Sequence, residues 1–261
     1  MNWQVELEIW LAAAGGLAVL QGVTFTVGRR LRRYNVVDIV WGPGFVLVAV
    51  IAALLGSGPV ARRGLLLALV AVWGVRLGGY LLRRTAGHGE DPRYARLLDR
   101  YGRSPGVVIR RIFLTQAIAQ WVISLPIQVS AAAGPTRGFG WVAAVAGVVV
   151  WLTGFLFESV GDRQLARFKA DPANRGVIMD RGLWAWTRHP NYFGDFCVWW
   201  GLWLIAASAW PGVLTVFAPL IMSYLLIRGT GARLLERSMR DRPGYGEYRA
   251  RTSQFFPRPP R

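Results

Sequence analysis

The sequence predicts an all-α integral membrane protein with seven transmembrane helices, forming one domain over residues 1–261. Hydrophobic residues make up 53% of the chain. They are gathered into seven runs, most of them near the 20 or so residues that cross a bilayer core. Charged residues lie between these runs instead of alternating with them, which favours a membrane protein over a soluble globular one.

The seven runs predict seven spans in chain order: residues 9–27, 36–55, 64–82, 112–133, 139–157, 192–210 and 213–227. The first run follows Glu6 and Glu8 and lacks a small-residue cleavage site with a polar stretch after it. We therefore expect a retained span and not a signal peptide. Small residues inside the runs, such as Gly15 and Gly16, allow neighbouring helices to pack closely.

The basic residues predict the orientation of the chain. Of its 31 Lys and Arg residues, 27 lie in four alternate segments, residues 28–35, 83–111, 158–191 and 228–261. Cytoplasmic loops carry such an excess, so we expect the amino terminus outside and the carboxy terminus inside. Topology and anionic lipid head groups then account for most of the net charge of +17. No nucleic-acid partner is expected, because the arginines lie in short loops.

Metal and disulfide chemistry are not expected. Cys197 is the only cysteine, and the two histidines, His88 and His189, lack the spacing of a ligand pair. A lone cysteine cannot form a disulfide within one chain. We predict no metal site, and the sequence leaves the oligomeric state open.

The most informative stretch is residues 182–195, which reads Gly-Leu-Trp-Ala-Trp-Thr-Arg-His-Pro-Asn-Tyr-Phe-Gly-Asp. It places five polar side chains at the mouth of a predicted membrane helix, where such groups are costly and usually functional. Asn191 and Asp195 are four residues apart and so share one helix face, which a single ligand can contact. A purely structural use stays open, since Pro190 suits a first helical turn and Asn191 or Thr187 suits a cap.

Four further blocks accompany this stretch: Asp-x-x-Trp-Gly at 38–42, Gly-Glu-Asp-x-Arg-Tyr at 89–94, Asp-x-Gln at 162–164, and Tyr-Arg-Ala-Arg-Thr-Ser-Gln-Phe-Phe-Pro at 248–257. Together with residues 182–195 and the following Trp-Trp-Gly at 199–201, they resemble the steroid 5-alpha-reductase family, in particular a bacterial branch of short seven-span proteins. The blocks extend over nearly the whole chain.

The resemblance implies a seven-helix membrane reductase that takes NADPH from the cytosol. Such an enzyme reduces a carbon-carbon double bond conjugated to a carbonyl in a steroid-like or other lipid substrate. The resemblance also implies a bacterial inner-membrane protein whose active site opens to the cytoplasm, with the cofactor held by the carboxy-terminal part, about residues 139–261. The family's asparagine falls on Asn191, its aromatic residue on Tyr192, its acid on Asp195 and the acid ahead of the motif on Asp162.

The chemistry of other residues fits the same cofactor. Phosphates bind guanidinium groups well, and five arginines are expected on the cofactor side: Arg84, Arg93, Arg167, Arg188 and Arg251. We place His189, Glu90, Tyr94 and Tyr248 in the same predicted site, with Tyr94 and Tyr192 able to stack on rings. For Trp184 and Trp186, a membrane-interface belt is the favoured interpretation.

Reduction also needs a group that polarises the substrate carbonyl. We predict Asp38 and Tyr80 as catalytic residues, with Trp41 and Arg76 facing the substrate. Asp38 and Tyr80 are the nearest chemical equivalents of the family's Glu and Tyr pair, which cannot be matched residue by residue. An ion pair between Asp38 and Arg76 is the structural alternative, because a carboxylate in a membrane helix needs a partner.

Two other functions stay open. S-adenosylmethionine-dependent methyltransferases of the isoprenylcysteine carboxyl type share an Arg-His-Pro-x-Tyr-x-Gly motif and a Glu before a final Tyr-x-x-Tyr, echoed here by Glu236, Tyr245 and Tyr248. Asn191, Asp195 and the Trp-Trp-Gly favour a reductase. A non-enzymatic sterol- or lipid-binding protein is the third possibility, and the sequence does not identify the lipid.

Overall fold

The computed structural model describes residues 2–229 and 231–260, and this part of the chain is helical and contains no strand. A β-bridge joins Thr187 to Ser253. The chain divides into two compact units, Met1–Gly140 with Ala206–Thr215 and Trp141–Ile205 with Val216–Arg261.

The amino-terminal helices follow the first four hydrophobic runs. They are α1 (Trp3–Leu31), α2 (Val36–Ile39), α3 (Trp41–Leu55), α4 (Val60–Thr85), α5 (Pro92–Tyr101), α6 (Pro105–Ile123) and α7 (Leu125–Ala132). The side-chain oxygen of Asn2 caps α1 by accepting from the backbone amides of Gln4 and Val5. Within α6, residues Ile109–Phe113 form a π-helical turn.

The remaining helices follow the last three runs and the carboxy-terminal tail. They are α8 (Gly140–Ala170), α9 (Leu183–Trp186), α10 (Pro190–Ala207), α11 (Phe217–Tyr224), α12 (Ala232–Met239) and α13 (Tyr245–Arg251). A 3-10 turn, Gly212–Val216, precedes α11, and a π-helical turn, Leu225–Gly229, follows it.

In the part of the chain that the structure describes, five helical segments are long and apolar enough to cross a membrane: Trp3–Leu31, Val60–Thr85, Pro105–Ile123, Gly140–Ala170 and Gly212–Met239. The chain is therefore an all-α membrane protein. The other two expected spans are helical but shorter, with 15 residues in α3 and 18 in α10. At 1.5 Å per residue they reach about 22 and 27 Å, against about 30 Å for the hydrocarbon core.

In the first unit, a buried glutamine supports the interruption between α2 and α3. The helix is broken at Val40, and Gln120 of α6 donates to the carbonyls of Val40 and Trp41 at 3.1 and 2.9 Å. Gln21 of α1 in turn donates to the Gln120 carbonyl oxygen at 2.9 Å. Gln120 thus donates to two backbone carbonyls beside the break, and Gln21 fixes the position of the Gln120 side chain.

In the second unit, α8 and α10 meet through glycines spaced seven residues apart. A Cβ atom on Gly154 would lie 2.5 Å from the Gly194 carbonyl oxygen, and one on Gly147 would lie 2.7 Å from that of Gly201. The numbering rises along α8 as it falls along α10, so the helices are antiparallel. Backbone contact of this kind is typical of small residues in membrane helices, and it sets which residues of α8 and α10 lie level with each other.

Candidate functional site

The 182–195 stretch and the end of the chain pack together as one structure. The Arg188 amide donates to the Ser253 carbonyl at 2.9 Å, and the Thr187 hydroxyl donates to the Phe255 carbonyl at 2.8 Å. The Arg258 amide also donates to the Trp186 carbonyl at 3.0 Å. Two of the five blocks in the sequence are therefore parts of one local structure.

Trp184 and Tyr248 tie this structure to α8. The Tyr248 hydroxyl donates to the Trp184 carbonyl at 2.6 Å, and the Trp184 indole donates to the Gly161 carbonyl at 3.0 Å. Burial raises the pKa of the Tyr248 phenol, which stays a neutral donor. The expected interface role does not suit Trp184, which is buried and hydrogen-bonded, whereas Trp186 is exposed. Tyr248, placed among the cofactor residues, has its hydroxyl committed to the backbone.

Arg188 is buried and neutralised by Glu236 of α12. Its Nε and Nη2 atoms lie 2.8 and 2.7 Å from the same Glu236 oxygen, and Nη1 donates to the carbonyls of Arg249 and Thr252 at the end of α13. Most donors of this guanidinium are thus used inside the protein. Arg188 joins three segments, a role that the sequence did not reveal.

Glu236 also binds His189. The His189 Nε2 atom lies 3.3 Å from the Glu236 oxygen that Arg188 contacts, and Gln254 donates to the other oxygen at 3.3 Å. The His189 ring lies almost parallel to the Tyr192 ring, with centroids 5.6 Å apart and 13° between the planes. We call Arg188, His189 and Glu236, with the Tyr192 ring, the histidine cluster.

Asn191 and Asp162 meet between α10 and α8. The Asn191 amide nitrogen donates to the Asp162 carboxylate at 3.1 Å, and its carbonyl oxygen accepts from the Tyr192 amide at 3.0 Å. Asp195 is buried one turn along α10, on the face of Asn191. The structure thus brings together Asn191 and Asp162, two residues that the resemblance placed at the cofactor.

Glu158 is the residue of this region that sequence reasoning missed. It is buried one turn before Asp162 on α8, beside Gly194 of α10. Its spacing of four residues from Asp162 is the same signal that linked Asn191 to Asp195, and it was readable in the sequence.

Arg167 and Arg251 lie at the surface of the second unit. Arg167 is exposed near the end of α8, and Arg251 forms an ion pair with Asp180. Arg84, in the first unit, is also exposed, on the last turn of α4. Of the five arginines expected to bind phosphate, Arg84 and Arg167 therefore remain open to solvent without a carboxylate ion pair in the described ranges.

In the first unit, Asp38 is the centre of a second cluster. The Tyr94 hydroxyl donates to one Asp38 oxygen at 2.5 Å, and Arg93 binds the other at 2.8 Å. Arg93 also holds Asp91 at 3.0 Å. Burial, followed by the Asp38 carboxylate, raises the pKa of Tyr94 well above its usual value. We call Asp38, Arg93, Tyr94 and Asp91 the aspartate cluster.

The loop before α5 is anchored to the segment before α2. The Glu90 carboxylate accepts from the backbone amides of Tyr34, Asn35 and Asp91, at 2.5, 2.9 and 3.1 Å. Arg33 donates to the carbonyls of Thr85 and His88. Three amide donors occupy Glu90, so it holds the loop that carries Arg93 and Tyr94.

The other residues expected at the substrate or in catalysis lie on α4 and at the start of α3. The Arg76 guanidinium lies 5.6 Å from the Tyr80 ring centroid within α4. The Trp41 ring packs edge-to-face on Phe45 at 5.1 Å. Asp38, which the alternative interpretation pairs with Arg76, binds Arg93 and Tyr94. The sequence analysis placed both of these residues at the cofactor.

The described residues contain no group of three or more His, Cys, Asp or Glu side chains placed to hold a metal ion. Their chemistry is that of hydrogen-bonded carboxylates, one amide and stacked rings. These groups can bind a polar organic molecule and hold or move protons.

Comparison with known proteins agrees with this combination of motifs. The chain is 27% identical over 234 aligned residues to an uncharacterised protein of Schizosaccharomyces pombe, covering 78% of this chain and 66% of that protein. It is 37% identical over 75 residues to the steroid 5-alpha-reductase DET2 of Arabidopsis thaliana, covering 28% of each. The chain thus spans just under two thirds of the first relative and under a third of the second.

No solved structure matches the chain significantly. The family model described as protein of unknown function (DUF1295) matches residues 24–252, which include all the sequence blocks up to the first five residues of the last one. The chain therefore belongs to the DUF1295 family, which is steroid 5-alpha-reductase-like.

Proposed function

We propose that the protein is a membrane-embedded, NADPH-dependent reductase of a carbon-carbon double bond conjugated to a carbonyl in a steroid-like or other lipid substrate. The observation that carries this proposal is the aspartate cluster. The Tyr94 hydroxyl donates a hydrogen bond of 2.5 Å to the Asp38 carboxylate, and Arg93 forms an ion pair with the same carboxylate. Within a steroid 5-alpha-reductase-like family, such a pair suits the protonation half of a reduction.

The second unit offers groups that fit the cofactor's polar parts. Asn191 has a second amide hydrogen beyond the one bound by Asp162, which a carboxamide or ribose oxygen can accept. Asp162 and Asp195 can accept from ribose hydroxyls, and Tyr192 presents a ring already stacked on His189. Arg167 is an exposed arginine of this unit that is suited to the phosphates, whereas Arg188 is buried in hydrogen bonds within the protein.

When bound, NADPH supplies a hydride to the carbon β to the carbonyl. Negative charge then gathers on the carbonyl oxygen, and a hydrogen-bond donor must stabilise it. Tyr94 stays protonated at neutral pH because its pKa is raised, first by burial and then by Asp38. Its one hydroxyl hydrogen points to Asp38, so donation to the substrate oxygen requires that hydrogen to turn away from Asp38, which Arg93 still neutralises. A proton passed from the Tyr94 hydroxyl to the carbon α to the carbonyl, and replaced from water, completes the saturated product.

A matched pair of tyrosine variants tests this assignment. Tyr94→Phe removes the donor, and Tyr80→Phe removes the tyrosine that the sequence favoured. NADPH oxidation is followed with a panel of enone lipids. We expect turnover to fall about 10²- to 10⁴-fold in Tyr94→Phe, the range of general acid catalysis, with little change in Tyr80→Phe. The reverse pattern would move the donor to Tyr80.

The cofactor site has its own test. Asn191→Ala should weaken NADPH binding by about 1–3 kcal/mol, the cost of removing one partner of a buried hydrogen bond. Asn174→Ala, in the same unit but outside the site, is the control. Equal NADPH affinities in the wild type and Asn191→Ala would remove this asparagine from the cofactor site.

The proposal includes the membrane topology. Seven spans with the amino terminus outside would place the aspartate cluster, the 182–195 stretch and the carboxy terminus on the cytoplasmic side of a bacterial inner membrane. The support is the distribution of Lys and Arg, 27 of 31 of which fall in the four segments assigned to that side.

A methyltransferase that uses S-adenosylmethionine is the second candidate. The histidine cluster favours it, because Arg188, His189 and Glu236 are the residues that echo the isoprenylcysteine carboxyl methyltransferases, and they are in contact. Mass spectrometry of the protein purified under mild conditions distinguishes the two. Retained NADPH supports the reductase, and retained S-adenosylmethionine supports the methyltransferase.

A further inference from the structure

An apolar groove of about 410 Å³ runs along α1 and α6 in the first unit. Its lining is apolar except for Gln21 and includes Phe25 of α1 and Ile109, Phe113, Ala117 and Trp121 of α6. Both helices are candidate spans. The volume falls in the range of small-molecule sites.

A basic and aromatic cluster lies close in sequence to one end of this groove. The Arg111 and Arg100 guanidinium carbons lie 4.4 and 5.3 Å from the Tyr101 ring centroid. The two cations are therefore within about 10 Å of each other, which is one Debye length at 0.1 M salt. We call Arg100, Tyr101 and Arg111 the tyrosine clamp. Arg111 is two residues from Ile109, which lines the groove.

The two arginines of the tyrosine clamp have no ion-pair partner among the carboxylates of the described residues. By contrast, Arg103 is paired with Asp99 at 2.7 Å. Tyr101 and both arginines are exposed. Two cations that share one ring repel each other, and an anion bound between them would remove that cost.

The helix geometry around Arg111 also differs from that of a regular α-helix. Arg110 and Arg111 lie on the π-helical turn Ile109–Phe113 near the start of α6. Such turns are rare and frequently occur at functional sites. The same turn contributes Ile109 and Phe113 to the groove, so it carries both the basic side chains and the apolar lining.

We propose that the tyrosine clamp and the groove form a binding site for an anionic phospholipid of the membrane. Arg100 and Arg111 bind the phosphate, since guanidinium groups suit phosphate oxygens. One acyl chain lies in the groove along α1 and α6. A lipid is favoured over a free phosphate because the site joins a cationic end to an apolar channel on two candidate spans. This inference is independent of the reductase proposal.

The test measures lipid retention by the full-length protein. The detergent-purified, delipidated chain is mixed with equal amounts of dioleoylphosphatidylglycerol and dioleoylphosphatidylcholine, and bound lipid is counted by native mass spectrometry. We expect phosphatidylglycerol to be retained about tenfold more in the wild type, because both lipids carry a phosphate but the choline cation of phosphatidylcholine is repelled by the two guanidinium groups. The Arg100→Gln/Arg111→Gln variant should lose this preference. Arg163→Gln/Arg175→Gln, which removes the same charge elsewhere, should keep it.

A second variant tests the groove without changing the charge. Ala117→Trp fills the channel and should lower phosphatidylglycerol retention, while Thr115→Trp, exposed on the same helix and outside the lining, should not. Equal retention of both lipids by the wild type, or an unchanged preference in Arg100→Gln/Arg111→Gln, would overturn the proposal. Displacement of the lipid by an equal concentration of inorganic phosphate would assign the clamp to free phosphate instead.

Discussion

At the scale of single residues, Glu236 has the widest effect on the second unit. One of its oxygens accepts from both Arg188 and His189, and the other accepts from Gln254. A buried guanidinium without its carboxylate is strongly unfavourable. Loss of Glu236 would therefore disturb the 182–195 stretch and the end of α13 together.

Glu236 should also fix the tautomer of His189. Because Nε2 faces a carboxylate, we expect the hydrogen on Nε2 and not on Nδ1 in the neutral ring. Long-range proton–nitrogen NMR of ¹⁵N-histidine-labelled protein reads this directly, and the chain has only two histidines. His88→Asn assigns the signals. Glu236→Ala should give a mixture of tautomers, and a wild type with hydrogen on Nδ1 would contradict the prediction.

Partnerships between residues were harder to predict than the residues themselves. The sequence singled out Asp38 and Tyr94, yet it placed them in different roles, because 56 positions separate them and nothing local links them. The same holds for Arg188 and Glu236, which are 48 positions apart. Periodicity identifies residues on one helix face, and only the packing of several helices brings distant residues into contact.

At the scale of elements, the glycine contacts between α8 and α10 make a quantitative prediction. Gly154→Ala places a methyl group 2.5 Å from the Gly194 carbonyl oxygen, so the helices must separate. We expect a loss of about 1–3 kcal/mol in unfolding free energy, the usual cost of overpacking. The control is Gly79→Ala, where a Cβ meets nothing within 4 Å.

Gly79→Ala should instead stabilise α4 by about 0.5–1 kcal/mol through helix propensity. Thermal unfolding in the same detergent compares both variants with the wild type. Equal unfolding temperatures of Gly154→Ala and Gly79→Ala would mean that the stability of the protein does not depend on close contact between α8 and α10.

The start of α5 should be sensitive to acid. Asp91 caps this helix by accepting from the Arg93 amide at 2.8 Å. Burial alone would raise the pKa of Asp91, but the hydrogen bonds and charge of Arg93 outweigh it and lower that pKa. A lowered pKa means that the stabilisation is present above the unfolded value, about 3.9, and is lost as pH falls through the folded one.

The measurement is the difference in unfolding midpoint between the wild type and Asp91→Asn. We expect this difference to be constant from pH 7 to about 5 and to shrink as the pH falls below about 4. A difference independent of pH would show that the Asp91 charge contributes nothing.

Helix positions were largely predictable, whereas helix interruptions were not. All seven hydrophobic runs are helical over most of their length, because apolar length specifies a membrane helix. The break at Val40 was not foreseen, although Pro43 lies three residues later and lacks the backbone N–H that would bond to the Ile39 carbonyl in a continuous helix. Gln120, 80 positions away, also donates to the Val40 carbonyl at the break, a contact that no local pattern predicts. The glycines spaced by seven in α8 and α10 are visible in the sequence. They are the signal of close packing between these two helices that the sequence analysis did not use.

At the scale of the whole molecule, the distribution of charge makes a topological prediction. In a Cys197→Ser background, Ser104→Cys should resist labelling by an impermeant maleimide in intact cells, because residues 83–111 are expected in the cytoplasm. Arg137→Cys, in the loop expected outside, should be labelled. Both positions are exposed, so access to reagent is the only difference. Labelling at position 104 would reverse or abolish the proposed orientation.

The glycine spacing has a further consequence for how the site tolerates change. Two helices that interlock every seven residues can slide past each other only by a whole repeat, about 10.5 Å at 1.5 Å per residue. A step of that size would carry Asn191 about two turns away from Asp162, and a smaller step would bring side chains against backbone where glycines now lie. The glycine contacts thus fix the position of α10 along α8. Mutations elsewhere can weaken the hydrogen bond between Asn191 and Asp162 without changing where these two residues lie along the helices.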